Sequence, residues 1–451
     1  MSVSKNLFIL WSLFLFISSC NNNTNDFIEI SREKYSSQLY GFWLGQSIAN
    51  WTGLITEMDK IGNIGDIKTG SFYTREDWGG IDLRSIWEDQ SIDKSNIRID
   101  YSLRSEEEIW GSDDDTDIEY MYQFLLNYFN TSILSPSQIR EGWIKHIKAE
   151  EENYLWVSNQ RAFDLMNQGM LPPETGQPSN NEFYNMIDAQ LTTEIFGLFS
   201  PTRPDFGIRM AELPIKTVAR GEAQEIAEFY VRMHSLASNP KEFNSTKENI
   251  FWIANESRKY LADNNYPAKM YDFTEGLYNS GIKWEQARDS IYSRYQVEQK
   301  DGYDITSKNL YCNGCFAAGI NFASSLVSLF YGEGDIKKTI KIGTLSGWDS
   351  DNPTSTWGGL IGFLIGKEMI EREFNTNFSS KFNIHRTRQN FPNKGIDSFT
   401  HMAAEGIKVV DRVVEEELKG EINLIKNNLY FRLFAPYTFN LPNYRISNLT
   451  F

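Results

Sequence analysis

Two clusters of acidic side chains, far apart in the sequence, are the residues best suited to carry out chemistry in this chain. The first is the Gly-Ser-Asp-Asp-Asp-Thr-Asp run of residues 111–117, and the second is the Gly-Trp-Asp-Ser-Asp-Asn-Pro-Thr run of residues 347–354. Each precedes a segment of helical periodicity, so either cluster alone would serve as a helix cap. Together they gather more negative charge than capping needs, and a bound divalent cation is the usual way to offset such repulsion. Oxygen ligands without a nearby His or Cys favour Mg²⁺, Ca²⁺ or Mn²⁺ over zinc.

Neither cluster fits a self-contained calcium loop. Residues 113–117 alternate Asp-x-Asp-x-Asp as an EF-hand does, but Ile118 stands at the sixth position, which requires Gly, and Phe124 stands at the twelfth, which requires Glu. The second cluster has Pro353 at its fifth position. We therefore expect one site that the two clusters share.

The elements that must position these clusters are predicted to be helices, from about residue 29 to residue 419. Apolar residues recur at helical spacing over residues 40–48, and Gly41, Gly45 and Ala49 add a stripe of small residues against which a neighbouring backbone can approach closely. A helix is predicted after Asp117. Further helices are predicted over residues 187–199, 211–235, 250–262, 284–295, 316–331, 356–373 and 398–418. This pattern indicates a single all-α domain.

Two segments depart from the helical pattern. Residues 68–109 are polar and aromatic and are predicted to run over the surface in an extended form, whereas residues 429–451 are aromatic-rich and are predicted to form a short C-terminal β-hairpin. No internal repeat and no transmembrane helix is predicted after the first twenty residues. We divide the chain into residues 1–19, 20–28, 29–420 and 421–451.

The N-terminal segment is predicted to direct export. Lys5 precedes an apolar run over residues 7–17, which is too short to span a bilayer but suits the core of a signal peptide. The following Ser-Ser-Cys20 resembles the lipobox of bacterial lipoproteins, whose cysteine is acylated. We therefore expect a signal peptide over residues 1–19, and a lipid on Cys20 as the only membrane attachment, with a flexible tether over residues 20–28. The protein would lie in the periplasm or at the cell surface; the alternative is an ordinary signal peptide with a coincidental cysteine.

Composition narrows the classes of function. With 41% hydrophobic residues the chain can bury a core, and its formal net charge of −16 argues against nucleic acid as a partner. Cys312 and Cys315 form a C-x-x-C pair, for which a local disulfide or two buried thiols are favoured over zinc binding or catalysis. The sequence does not set the oligomeric state. The histidines lie outside both clusters and are predicted to be structural or exposed: His146, His234, His385 and His401.

Three motifs, in order along the chain, resemble those of the ADP-ribosylglycohydrolase family. The Gly-Ser-Asp-Asp-Asp-Thr run of residues 111–116 resembles that family's Thr-Asp-Asp-Thr motif, and Gly-Trp-Asp-Ser-Asp-Asn at residues 347–352 resembles its Gly-Gly-Asp-x-Asp-Thr motif. The glycine-containing segment over residues 41–53, followed by Glu57, resembles the family's first helix, its Gly-Asp-x-x-Gly turn and the glutamate beyond. In this chain Asp113, Asn352 and Asn50 stand where the family usually has Thr, Thr and Asp.

The resemblance implies an all-α bundle that holds Mg²⁺, two ions in the family, between these motifs, with Mn²⁺ or Ca²⁺ as alternatives. It also implies hydrolysis of a glycosidic bond at the anomeric carbon of an ADP-ribosyl group. Carried over by position, it gives this set of predicted metal ligands: Asp113, Asp114, Asp115, Asp349, Asp351 and Asn352.

The chemistry of ribosyl transfer to water suggests roles for the remaining site residues. An oxocarbenium-like centre needs its sugar hydroxyls held, a positioned water and nearby negative charge. We expect Glu57 to act as acid–base catalyst, with Asp115 as the second candidate, and Gly347, Trp348 and Asn50 to contact substrate. The substrate would be a small molecule, or an ADP-ribosylated or otherwise glycosylated one. The alternative is a family member without catalysis that binds a nucleotide-like or sugar ligand.

Overall fold

Fourteen α-helices carry most of the residues that the computed structural model describes, which are 27–88, 93–239, 241–304 and 311–432. The prediction of an all-α fold is confirmed. The signal peptide and Cys20 lie outside the described residues. The helices are α1 Arg32–Gly53, α2 Asp114–Tyr128, α3 Pro136–His146, α4 Val157–Asn167, α5 Ile195–Leu198, α6 Pro204–Val218, α7 Glu222–Leu236, α8 Thr246–Arg258, α9 Tyr266–Asn279, α10 Trp284–Ile291, α11 Ala318–Gly332, α12 Ile336–Ser346, α13 Asp351–Phe374 and α14 Phe399–Arg412.

Two small sheets lie at the edges of the bundle. Their strands are β1 Phe27–Ser31, β2 Trp110–Gly111, β3 Lys381–Asn383, β4 Ile396–Ser398, β5 Glu421–Asn423 and β6 Asn428–Arg432. One sheet has the order β1-β6-β5 and the other β2-β3-β4. Strands β5 and β6 form an antiparallel pair that begins earlier than the hairpin predicted over residues 429–451, and β6 also pairs antiparallel with β1. Residues 433–451 lie outside the described part of the chain.

Helices α1 and α13 cross with their backbones in contact, at the small-residue stripe predicted on α1. An ideal Cβ on Gly45 would lie 2.2 Å from the carbonyl oxygen of Gly358, and one on Gly41 would lie 2.2 Å from that of Gly362. No larger residue fits at these positions without moving a helix. This crossing brings the C-terminal end of α1 to the N-terminal end of α13, where an ideal Cβ on Gly53 would lie 2.4 Å from Asp351 Cα.

Two of the predicted helices are wrong in extent. Residues 187–199 form a 3₁₀ turn, Ile187–Ala189, and the four-residue α5 instead of one helix. The reason is a tertiary contact, because the side chain of Asp188 accepts hydrogen bonds from the Ser158 hydroxyl and from the Asn159 N–H at the start of α4. Residues 211–235 are divided between α6 and α7 by Gly221, whose φ is +60°. The periodicity analysis also missed four helices, which are α3, α4, α9 and α12.

The segment over residues 68–109 is irregular where it is described, with a 3₁₀ turn at Arg75–Asp77 and an isolated bridge between Ile81 and Arg98. Cys312 and Cys315 form a disulfide, which agrees with one of the two favoured readings of the C-x-x-C pair. Within the described ranges, no helix is both long and apolar enough to cross a bilayer.

Candidate metal centre

The first acidic cluster lies at the start of α2. Strand β2 ends at Gly111, and the backbone N–H of Asp113 donates to Thr116 Oγ1 at 2.9 Å, which fixes the turn into the helix. The side chains of Asp114 and Asp115 therefore leave the first turn of α2, whose free N–H groups favour negative charge.

The second cluster lies in the tight turn between α12 and α13. Gly347 and Trp348 both have positive φ, of 93° and 57°. This turn is tied to the chain after α1, because Trp348 N–H donates to Lys60 O at 2.8 Å and Met58 N–H donates to Trp348 O at 2.9 Å. The same pair of bonds places Glu57, next to Met58, beside the start of α13.

The fold brings the two clusters and Glu57 together into what we call the acidic centre, which consists of Glu57, Asp113, Asp114, Asp349 and Asp351. One carboxylate oxygen each from Glu57, Asp349 and Asp351 lie within 4.8 Å of one another. One oxygen each from Asp113, Asp114 and Asp351 also lie within 4.8 Å of one another. Asp351 belongs to both groups, so the centre has two halves joined by a single side chain.

Two of the residues predicted as metal ligands, Asp115 and Asn352, are outside both groups. Asn352 Nδ2 donates to Asp115 Oδ1 at 2.9 Å, and Asn50 Nδ2 donates to Asp115 Oδ2 at 3.2 Å and to Asp113 Oδ2 at 3.3 Å. Asn352 Oδ1 in turn accepts from Gln190 Nε2 at 3.1 Å. These hydrogen bonds place Asp115, Asn352 and Asn50 in one buried network that reaches the acidic centre at Asp113.

The predicted substrate contacts at the second cluster are also placed differently. Trp348 is fully buried, and its ring packs against Phe72 with ring centroids 4.7 Å apart. Gly347 is packed equally tightly, because an ideal Cβ there would lie 2.5 Å from Lys60 O. Both residues shape the turn in this structure and present no face to a ligand. Trp51, which follows Asn50 in the first motif, is half-buried, and its Nε1 donates to Gly111 O at 2.9 Å.

Burial and mutual repulsion raise the pKa values of Glu57, Asp114, Asp349 and Asp351. Burial, followed by the charge of Asp349, raises the pKa of Glu57 well above its usual range. Burial, followed by the charge of Glu57, does the same to the pKa of Asp351, and burial, followed by the charge of Asp188, raises the pKa of Asp349 to about 7. Without a cation, these groups hold protons that isolated carboxyl groups lose.

The donor set fits hard divalent cations. Asp351 Oδ1 is buried and has no hydrogen-bond partner among the described residues. Carboxylate oxygens in groups of three, with no His or Cys, suit Mg²⁺, Mn²⁺ or Ca²⁺. Each half of the centre, one around Glu57 and one around Asp113, offers such a group.

Two arginines near the centre were missed by the sequence analysis. Arg386 Nη1 donates to Asp113 Oδ1 at 2.6 Å, and Arg388 Nη2 donates to Asp117 Oδ1 at 2.8 Å in a fully buried pair. Asp117, near the start of α2, is therefore an ion-pair partner. Only the close spacing of basic residues in the His-Arg-Thr-Arg run of residues 385–388 pointed to these arginines.

Comparison with known proteins agrees with this architecture. The family model of ADP-ribosylglycohydrolase matches residues 31–385, which is most of the chain. A solved structure described as an ADP-ribosylglycohydrolase-related protein complex aligns with a TM-score of 0.46 and 11% identity, covering 84% of this chain and 98% of its own. No curated protein sequence matches the chain significantly. The family match spans all three motifs, and the chain belongs to the ADP-ribosylglycohydrolase family.

Proposed function

We propose that the protein is a divalent-metal-dependent hydrolase that cleaves an N- or O-glycosidic bond at the anomeric carbon of an ADP-ribosyl group or a related ribosyl or glycosyl group. Family membership supports a glycosyl-hydrolase-like function. The observation that carries the proposal is the pair of carboxylate groups joined through Asp351, with Glu57 in one of them.

The five side chains of the acidic centre would hold the metal, most simply as one cation in each half. Mg²⁺ is the leading candidate, with Mn²⁺ and Ca²⁺ as alternatives of the same ligand preference. When bound, such cations hold vicinal sugar hydroxyls and lower the pKa of a bound water. Asn50, Asn352 and Gln190 keep the carboxylates in place through their amide hydrogen bonds.

Glu57 is the acid–base residue in this proposal. It is half-buried, so that it is open to the site on one side, and its carboxylate lies in the same group as those of Asp349 and Asp351, where it can take a proton from the attacking water. Asp115 is less suited to this role because both of its oxygens accept hydrogen bonds from amides. Asp115 instead restrains the geometry of its neighbours.

A group of stacked aromatic rings supports a substrate that carries a planar or sugar ring. The ring centroids of Trp87, Trp156 and Phe316 lie 5.6 to 6.4 Å apart in pairs, with interplanar angles of 8° to 15°. The two tryptophans are 37% and 44% exposed, so their faces are accessible.

Hydrogen bonds of neighbouring residues connect these rings to the acidic centre. Ile86 N–H, beside Trp87, donates to Met58 O, beside Glu57. Ser158, two residues after Trp156, donates to Asp188, whose charge acts on Asp349. These bonds link the chain segments that carry the two tryptophans to Met58, beside Glu57, and to Asp188.

The test is turnover of defined substrates by purified protein. ADP-ribosyl-arginine, ADP-ribosyl-serine and simple nucleosides are incubated with Mg²⁺, and release is followed by chromatography, with Asp351→Asn as the matched control. We expect the wild-type protein to release product from at least one substrate, and the control and EDTA-treated samples to release none. Metal binding without turnover of any substrate would contradict catalysis.

That last outcome would favour the second candidate, a catalytically diverged lipoprotein that binds a nucleotide-like or sugar ligand. The observation behind it is the set of departures from the family pattern at Asn50, Asp113 and Asn352. Export and lipid attachment at Cys20 belong to both candidates as proposals. Mass spectrometry of the mature N-terminus, compared with a Cys20→Ser variant, tests them.

A further inference from the structure

Arg386 is the basic side chain that contacts the acidic centre, and it is held rigidly from several sides. Its Nη1 atom donates to both Asp113 Oδ1 and Ser112 O, each at 2.6 Å. Its guanidinium lies 4.9 Å from the ring centroid of Trp51 and 5.0 Å from that of Tyr154. Contacts of this kind fix a side chain that would otherwise lose much rotamer freedom on binding a ligand.

The absence of a side chain at Gly111 leaves space for the Arg386 side chain. An ideal Cβ on Gly111 would lie 2.7 Å from Arg386 Cδ and 3.0 Å from a ring carbon of Trp51, so a side chain at Gly111 would displace one of them. Lys148 Nζ donates to the Arg386 carbonyl at 3.3 Å, which adds a second positive charge near the same stretch of chain. The arginine is thus held in place before any ligand arrives.

The two hydrogen bonds of Arg386 described above use the same nitrogen. A guanidinium has five N–H donors arranged as a fork, and its side chain here is 31% exposed. Its remaining donors can therefore meet a bound molecule. Arg386 contacts Asp113, and Asp113 lies in the same carboxylate group as Asp351, the side chain shared by both halves of the acidic centre.

The positive charge of Arg386 favours an anionic ligand over a neutral one. The chain carries a formal net charge of −16, of which the carboxylates of the acidic centre are part, so a positive side chain beside the site favours an anionic group of the substrate at that position. A planar guanidinium matches phosphate and carboxylate oxygens in pairs. We propose that Arg386 is a specificity-determining residue that binds an anionic group, a phosphate or a carboxylate, on the substrate next to the cleaved glycosidic bond. This inference rests on the proposed function for the site it adjoins.

Calorimetric titration of the full soluble chain in Mg²⁺ tests the inference directly. The probes are ribose 5-phosphate against ribose, for a phosphate, and glucuronate against glucose, for a carboxylate. We expect the wild-type protein to bind one anionic probe at least tenfold more tightly than its neutral counterpart, and Arg386→Gln to reduce that ratio to about one. The probe pair in which the charged member binds more tightly shows whether the anionic group is a phosphate or a carboxylate.

Two control variants separate anion binding from loss of the Asp113 ion pair. Arg104→Gln makes the same charge change at a guanidinium over the same Trp51 ring, 5.4 Å from its centroid, and should keep the ratio. The double variant Asp113→Asn, Arg386→Gln leaves no unpaired carboxylate at position 113 and should bind the charged and neutral probes equally. Arg386→Lys keeps a positive charge and should retain part of the preference for the charged probe.

Equal affinities for charged and neutral probes in the wild type, or a ratio that survives in Arg386→Gln, would overturn the inference. So would a larger loss in Arg104→Gln than in Arg386→Gln. Failure of the proposed function looks different, because it is an absence of turnover in the chromatographic assay while the binding ratio and its dependence on Arg386 persist.

Discussion

Two groups of buried or half-buried acidic side chains differ in how their charge is balanced. In the acidic centre, none of the ion pairs found in the described ranges involves Glu57, Asp114, Asp349 or Asp351. In the second group, Asp59 and Asp82 are buried with Lys94, whose Nζ lies 2.8 Å from Asp82 Oδ2 and 2.8 Å from Glu88 Oε1.

The Asp59–Asp82 pair also has a neutral partner. The hydroxyl of Tyr73 donates to Asp59 Oδ2 at 2.6 Å, and burial, followed by the charge of Asp82, raises the pKa of Asp59 to about 8. Lys94 offsets carboxylate charge in this group without a bound ion. Buried aspartates thus occur in two settings. Lys94 contacts the Asp59–Asp82 pair, which is structural, whereas the acidic centre favours a bound cation.

The largest expected effect comes from removing the side chain that joins both halves of the acidic centre. Asp351→Asn should lower turnover by about 1,000-fold, because the loss of several kcal/mol of transition-state stabilisation corresponds to roughly three powers of ten. It should also abolish Mn²⁺ binding measured by calorimetry. The metal-free variant should unfold at the same temperature as wild type or higher, since one repelling charge is gone. A variant that keeps both Mn²⁺ binding and turnover would contradict the assignment.

Glu57→Gln should have a smaller effect, since it removes the acid–base group while the Asp113 half of the centre stays intact. We expect kcat to fall by about 100-fold, which is the lower range for loss of a general acid–base catalyst. The measurement is kcat on the best substrate at saturating Mg²⁺. An unchanged kcat with weaker Mn²⁺ binding would assign Glu57 to metal binding alone.

In the Asp59–Asp82 pair, the expected effect is on stability and not on the metal. Lys94→Met should destabilise the protein by about 2–3 kcal/mol, because it leaves a buried carboxylate unpaired. Urea unfolding would measure this, and the double variant Asp82→Asn, Lys94→Met should recover most of the loss. Mg²⁺ should stabilise wild type and Lys94→Met by equal amounts; extra stabilisation of the variant would mean that the pair binds the cation.

The smallest expected effect is the change in metal affinity produced by a single pH unit. The raised pKa values of Glu57, Asp351 and Asp349, the last at about 7, mean that a cation must displace protons at low pH. The apparent affinity for Mg²⁺ should therefore rise between pH 5 and 8, by up to about tenfold per pH unit for each displaced proton. Calorimetry in buffers of different ionisation enthalpy counts the released protons. An affinity independent of pH would show that the carboxylates are already ionised.

The sequence predicted the parts of the site that form contiguous motifs. Residues 111–116, residues 347–352 and Glu57 were found because each motif places its functional side chains next to one another at a helix end. The small-residue stripe on α1 was equally visible, because Gly41 and Gly45 are four residues apart.

The parts that depend on irregular segments were not predictable. Gln190 and Asp188 lie in a stretch that the apolar periodicity marked as one helix, and Arg386 lies in a loop after β3. Their roles follow from tertiary contacts with residues far away in the chain, which no local pattern encodes. The burial of Trp348 was missed for the same reason, since its partner Phe72 comes from the irregular segment over residues 68–109.

Anomalous diffraction from crystals grown with Mn²⁺ tests the central claim most directly. We predict density peaks within the acidic centre, one bounded by Glu57, Asp349 and Asp351 and one by Asp113, Asp114 and Asp351, with none at Asp59 and Asp82. Absence of any peak at Asp351, or a peak beside Lys94 instead, would contradict the account.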